Sequence, residues 1–136
     1  MSNPRAFISF DFDNDADKRT LFVGQTKNSR TPFNIEDWSS KTVLPEKQWQ
    51  DLIEAKVKKC NMLIVLVGKI TASATGVIKE IAFAHEHNVP IFGVYVSGAN
   101  SSTILPVGLP RSRTIEWDWE KIANWVDICV TEDKNK

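Results

Sequence analysis

The chain has 136 residues, a length that suits one domain burying roughly two-thirds of its unfolded surface. Seventeen basic and seventeen acidic residues cancel, with a sequence pI near 6.7, so no cationic excess exists to hold a phosphate polymer and nucleic acid is excluded as a leading partner. Apolar content is 42%, charged content is 25% and the longest apolar run is Met62–Val67, the profile of a soluble globular chain with nothing long enough to cross a bilayer.

Strand and helix signals alternate along the chain. Arg5–Phe10 (RAFISF) is a short β-rich apolar run, closed by the acidic cluster DFDNDAD. Residues 15–25 follow as a helix, with Leu21, Phe22 and Val23 as its apolar contribution. Pro32–Trp38 (PFNIEDW) alternates as a second strand does. After the loop SSKTVLP, Pro45 suits a first helical turn. Trp49, Leu52, Ile53, Val57 and Cys60 then recur at helical spacing. Lys56, Lys58 and Lys59 close that helix, where cations favour the negative end of its dipole. MLIVLV reads as a strand covered on both faces. TGVIKEIAFAHEHN is the third helix, stopped by Asn88 and Pro90. PIFGVYV is another buried strand, SGANSSTILPVGLP a loop, and RTIEW a fifth strand. Asp118 caps a last helix running through Cys129, and the tail 131–136 is expected to fray. The opening MSNPRAFISF lacks the apolar core of a signal peptide. With no internal repeat and no low-complexity linker, 1–136 reads as a single domain.

Five short strands alternating with helices imply right-handed crossovers. The expected architecture is a three-layer, flavodoxin-like α/β fold with a five-stranded parallel sheet in the order 2-1-3-4-5. Such sheets bind ligands beyond the carboxyl ends of their strands, where the order reverses between strands one and three. That rule selects the loop after Phe10, the loop after Trp38, and the stretch from Gly68 to Glu80.

At about 100° per residue, Val77, Ile78, Ile81, Ala84 and His85 form the buried arc of the third helix. Glu80 falls at one edge of that arc, where partial desolvation is expected to raise its pKa. A capping role fits badly: with Thr75 as N-cap, the capping-box position is Ile78. Two readings fit the spacing, a solvated carboxylate paired with nearby lysines and a working group in a cleft.

Other chemistry-bearing residues have plainer readings. Asp11, Asp13 and Asp15 suit loop charge and helix capping. A phospho-receiver would need an aspartate after the third strand, where Gly68 and Lys69 stand. No metal site is expected. His85 and His87 are two apart and face different sides of their helix. Trp49, Trp119 and Trp125 read as core, whereas Trp38 follows a strand end and can wall a ligand. Ser9 and Ser73 have no histidine–acid partners in a triad pattern, although Ser73 could bond a ribose or phosphate at the helix entrance. No glycine-rich phosphate loop occurs. Cys60 and Cys129 read as buried thiols of a reducing cytoplasm.

RAFISFDFDND, IEDWS, the helix with Trp49 and Leu52, MLIVLVG, TASATGVIKEIAFA and VPIFGVYV share one order and spacing. Over about residues 5–96 they resemble bacterial TIR-like domains, the branch typified by the sensor proteins of Thoeris anti-phage defence. The resemblance implies a cytoplasmic NAD glycohydrolase in which Glu80 is the catalytic residue. Phe10, Asp11, Asp37, Trp38 and Ser73 are the implied pocket. NAD is then substrate, with no separate cofactor. The product is an ADP-ribose-derived signal, cyclic or conjugated in some relatives, for a downstream effector. Self-association through TIR–TIR contacts is implied, so a homo-oligomer is expected. The chain departs from the family's pattern at Gly76, where many TIR enzymes carry tryptophan four residues before the glutamate, and in its short loop SSKTVLP. Trp38 or Phe12 could fill the space beside Gly76. A TIR-like module that recruits partners without turnover, and a nucleoside deoxyribosyltransferase-like enzyme, are the alternatives.

Overall fold

The computed structural model describes residues 5–10, 34–38, 46–69, 71–96 and 98–132, with backbone alone at 34–38, 46 and 73. The strands are β1 (Arg5–Ser9), β2 (Asn34–Trp38), β3 (Met62–Val67), β4 (Ile91–Tyr95) and β5 (Thr114–Ile115). The helices are α1 (Glu46–Lys58), α2 (Thr75–Glu86) and α3 (Trp119–Glu132), with 3-10 turns at Thr71–Ser73 and Arg111–Arg113. All strand pairs are parallel and lie side by side as β2-β1-β3-β4-β5. The architecture is α/β and consistent with a flavodoxin-like fold. The helix expected at 15–25 lies outside the described residues.

Strand geometry sends successive side chains to opposite faces, and here both faces are buried. Ala6, Ile8 and Phe10 of the first strand join Met62, Ile64 and Leu66 in one core, completed by Phe92, Val94 and Val96. α3 covers this core with Ile122, Val126 and Cys129. Phe7, Leu63, Val65, Val67, Ile91 and Tyr95 project to the other face, where α1 supplies Ile53 and Val57 and α2 supplies Val77, Ile81 and Ala84. That double burial is why MLIVLV carries no alternation: every one of its six residues is buried.

Helix ends follow local chemistry. α2 stops where Asn88 takes the left-handed conformation (φ 57°), a conformation asparagine tolerates better than most residues. Asp118 accepts a hydrogen bond from the Glu120 amide at 3.0 Å, as an N-cap does. Two expectations need correction. Leu52 is 41% exposed, so of the expected stripe Ile53, Val57 and Cys60 enter the core, with Trp49 packed against it. Thr131 and Glu132 are helical and not frayed. Glu132 accepts hydrogen bonds from the Arg113 guanidinium at 3.0 and 2.6 Å, and this charge-assisted pair anchors the last turn; residues 133–136 lie outside the description.

Candidate active site

The connection from β3 to α2 is closed by a buried threonine. The Gly68 amide donates to Thr71 Oγ1 at 2.7 Å, and the Ala74 amide donates to the Thr71 carbonyl at 2.9 Å. Thr71 is 0% exposed, so its hydroxyl satisfies a backbone donor that water cannot reach. With the turn fixed, α2 begins at Thr75, and its N-cap is Ala74, not Thr75.

The buried stripe of α2 is Val77, Glu80, Ile81 and Ala84. Glu80 is therefore inside the stripe and not at its edge, while Ile78 is half-buried and His85 exposed. At 1% exposure, the carboxyl group of Glu80 is almost wholly withdrawn from solvent, which rules out the solvated-surface reading. Its Oε1 accepts a hydrogen bond from Ser9 Oγ at 2.6 Å. Ser9 is the last residue of β1 and is itself 0% exposed. It shares a strand face with Phe7, the face on which α1 and α2 lie. The glutamate is thus held at the carboxyl edge of the sheet, between β1 and α2, at the reversal of strand order where such folds place their ligands.

The remaining candidates are dispersed. Phe10 is 2% exposed and packs into the core under α3, on the face opposite Ser9. Asp37 and Trp38 pair with Phe7 and Ile8 at the end of β2, as backbone positions. Ser73 ends the 3-10 turn that precedes α2. Asp11 and Phe12 lie outside the described residues. Ser9 and Glu80 are joined by a side-chain hydrogen bond.

Sequence reasoning missed two contributors. Ser9 carries no motif; its one signal is its parity with Phe7 at the strand's end. Trp49 is the other. Its Cζ2 and Cη2 lie 3.7 Å from where a Cβ on Gly76 would stand. The ring beside Gly76 therefore comes from the first turn of α1, and it is neither a lone core filler nor a residue adjacent in sequence.

The far end of α2 holds different chemistry. His87 Nε2 lies 2.8 Å from Glu54 Oε2, and ligand atoms of Glu54, Glu86 and His87 fall within 4.8 Å of one another. The hydrogen bond between His87 and Glu54 accounts for the proximity of those two groups. His85 Nε2 donates to the Gly108 carbonyl at 2.7 Å. A hollow of about 360 Å³ opens there, lined by residues including His85, Asn88, Pro90, Arg113 and Glu132. It sits where β4 begins, at the sheet edge opposite Ser9. Arg113 is engaged on all sides, donating to the Ile91 carbonyl at 2.7 Å and to Glu132, and lying 4.8 Å over the Trp125 ring. Burial works against its charge, but the Glu132 carboxylate holds its pKa above the ordinary value.

A parallel α/β domain with an enclosed carboxylate at the reversal of its strand order is the class that this geometry defines. The family model of the TIR-like domain of the Thoeris protein ThsB matches residues 7–101, and the chain belongs to that family. No curated protein matches the chain. Membership supports a TIR-type role in defence. Among the described residues, no helix is long and apolar enough to cross a membrane.

Proposed function

We propose that the protein is a cytoplasmic enzyme that cleaves NAD at the bond between nicotinamide and ribose and so makes a nucleotide signal in anti-phage defence. The observation that carries this reading is Glu80, a carboxylate 1% exposed and hydrogen-bonded across elements at the carboxyl edge of the sheet. Cleavage sends the bonding electron pair to the pyridinium nitrogen, giving neutral nicotinamide and an oxocarbenium-like ribosyl centre, as in glycoside hydrolysis. Nicotinamide leaves without protonation, so one carboxylate suffices to face the developing cation. Water captures the ribosyl carbon and loses a proton to give ADP-ribose. An adenine nitrogen gives a cyclic isomer, and another nucleophile a conjugate. The half-buried indole of Trp49 lies beside Gly76, which stands one helical turn before Glu80, and offers the flat surface that the missing tryptophan of other TIR enzymes would supply.

Enclosure has a kinetic consequence on this reading. A carboxylate 1% exposed meets a ribose only after it is uncovered, so basal turnover is low. Self-association into a homo-oligomer is the proposed opening event, and a downstream effector the proposed reader of the product. The same enclosure suits a second reading, a TIR-like module in which Glu80 only braces the fold. Incubation of the full chain with NAD, dilute and concentrated, separates the two. Nicotinamide release that grows with protein concentration and falls at least about a hundredfold in Glu80→Gln, a loss in the range of one removed electrostatic stabiliser, supports the enzyme. No release at any concentration favours the module, and equal release by both proteins removes Glu80 from the chemistry and overturns the proposed reading. Base exchange between nucleosides in a parallel incubation would point instead to deoxyribosyltransferase-like chemistry.

A further inference from the structure

We propose that Ser9 is the positioning residue for Glu80: its hydroxyl fixes which carboxylate oxygen and which rotamer the site presents. The inference rests on the reading of Glu80 as the working carboxylate. The last torsion of a glutamate is broad and roughly two-fold, so packing around the aliphatic stem leaves the orientation of the two oxygens unsettled. A donor 2.6 Å from Oε1 settles it. Ser9 suits that task because its backbone belongs to the sheet. It ends β1, which is paired with β2 and with β3, and Ser9 lies opposite Val65 in the β1–β3 register. The hydroxyl is 0% exposed, so water does not compete for it. Its partner comes from 71 residues further along the chain, so the bond sets the relation between strand and helix and does not merely satisfy a local turn. Sites hold their geometry when each working side chain is locked by a second one on a rigid element. In this molecule the pair Ser9–Glu80 has that form.

The test compares Ser9→Ala, which removes the donor, with Ser9→Cys, which keeps the shape with a weak donor, and Ser9→Thr, which keeps the hydroxyl. Melting curves first show which variants fold. The carboxyl carbon resonance of Glu80, identified by its loss in Glu80→Gln, is then followed by NMR in the full chain, alongside steady-state kinetics with NAD. Positioning predicts that this resonance moves in Ser9→Ala and Ser9→Cys and returns in Ser9→Thr. It also predicts a fall of about tenfold in kcat with KM within about twofold, since one hydrogen bond to the Glu80 carboxyl group is lost and no group that touches the rest of the substrate is changed. An unmoved Glu80 resonance in a folded Ser9→Ala or Ser9→Cys protein overturns the proposal, as does a change confined to KM. Should the native chain release no nicotinamide at any concentration, the enzymatic reading falls. The resonance alone then decides whether Ser9 sets the carboxylate.

Discussion

Cys129 shows how strongly a single side chain here depends on its surroundings. Burial between α3 and the sheet pushes its thiol up to about 12, while the Arg113 guanidinium, 3.7 Å from the sulfur, pulls the other way. The unfolded chain releases that proton near 9.0, the folded chain near 12. Folding therefore favours the protonated thiol, and its share of stability is complete below about pH 9 and lost as pH rises toward 12. Urea titrations at pH 8, 10 and 11 are expected to show a falling midpoint; constant midpoints would refute this assignment. At pH 8 the folded protein should also resist iodoacetamide until denaturant is added, because the thiolate is the nucleophile. At this scale the sequence was least informative. Spacing left two readings of Glu80 open and only the family resemblance favoured the working group, while its bond to Ser9 depends on a residue that only the third dimension brings near. Phe10 illustrates the converse error: next to Ser9 in sequence, it faces the opposite core because strand side chains alternate.

Elements meet through two glycines with opposite tolerances. Gly108 has φ +94°, and a Cβ there would stand 2.7 Å from Ile81 Cγ2 and 3.3 Å from the His85 ring. Both backbone strain and collision oppose any side chain. Gly108→Ala should lose about 1–3 kcal/mol of stability, read as a lowered melting midpoint, and should free the loop that receives the His85 hydrogen bond. Gly76 is different. Among the described residues, a Cβ there meets Trp49 at an ordinary 3.7 Å, so Gly76→Ala should leave stability equal or raise it by up to about 1 kcal/mol through helix propensity. A marked loss of stability in Gly76→Ala would mean that the α1–α2 contact is tighter than described. A tryptophan at 76 would have to displace the indole of Trp49, so Gly76→Trp is expected to destabilise, and to be tolerated better with Trp49→Ala. Element positions were largely legible: the apolar run at 62–67, the Asn88–Pro90 stop and the Asp118 cap each declare themselves through local rules. The alternating pattern could not reveal the packing partner of Gly76, because Trp49 lies in a different helix and reads equally well as core.

For the molecule as a whole, the family match ends at residue 101, yet the fold does not. Ile122, Val126 and Cys129 of α3 cover the face built from Ala6, Ile8, Phe10, Ile64, Leu66, Phe92 and Val94. Burying Ile122 and Val126 alone contributes roughly 3–6 kcal/mol, comparable with the roughly 5–15 kcal/mol that separates typical folded and unfolded chains. A chain truncated after Ser101 is expected to show no cooperative thermal transition and poor dispersion in its amide NMR spectrum, whereas residues 1–136 melt sharply. A cooperative melt of the truncated chain would show that α3 is dispensable. Parallel order was readable from alternating elements because each crossover needs a helix, and helices on both faces demand strands apolar throughout. The closing of the sheet edge was not readable. It relies on Arg113, whose bonds to Ile91 and Glu132 join β4 to the end of α3 and leave no periodic trace.

The two cores also keep the two sulfurs apart. Cys60 belongs to the face under α1 and α2, Cys129 to the face under α3, with the sheet between them. An intact molecule cannot join them to each other, nor offer either one to an oxidant in solution. Any disulfide-linked band on a non-reducing gel would therefore mark molecules that had come apart, which makes simple air oxidation a gauge of how much of a preparation is still native.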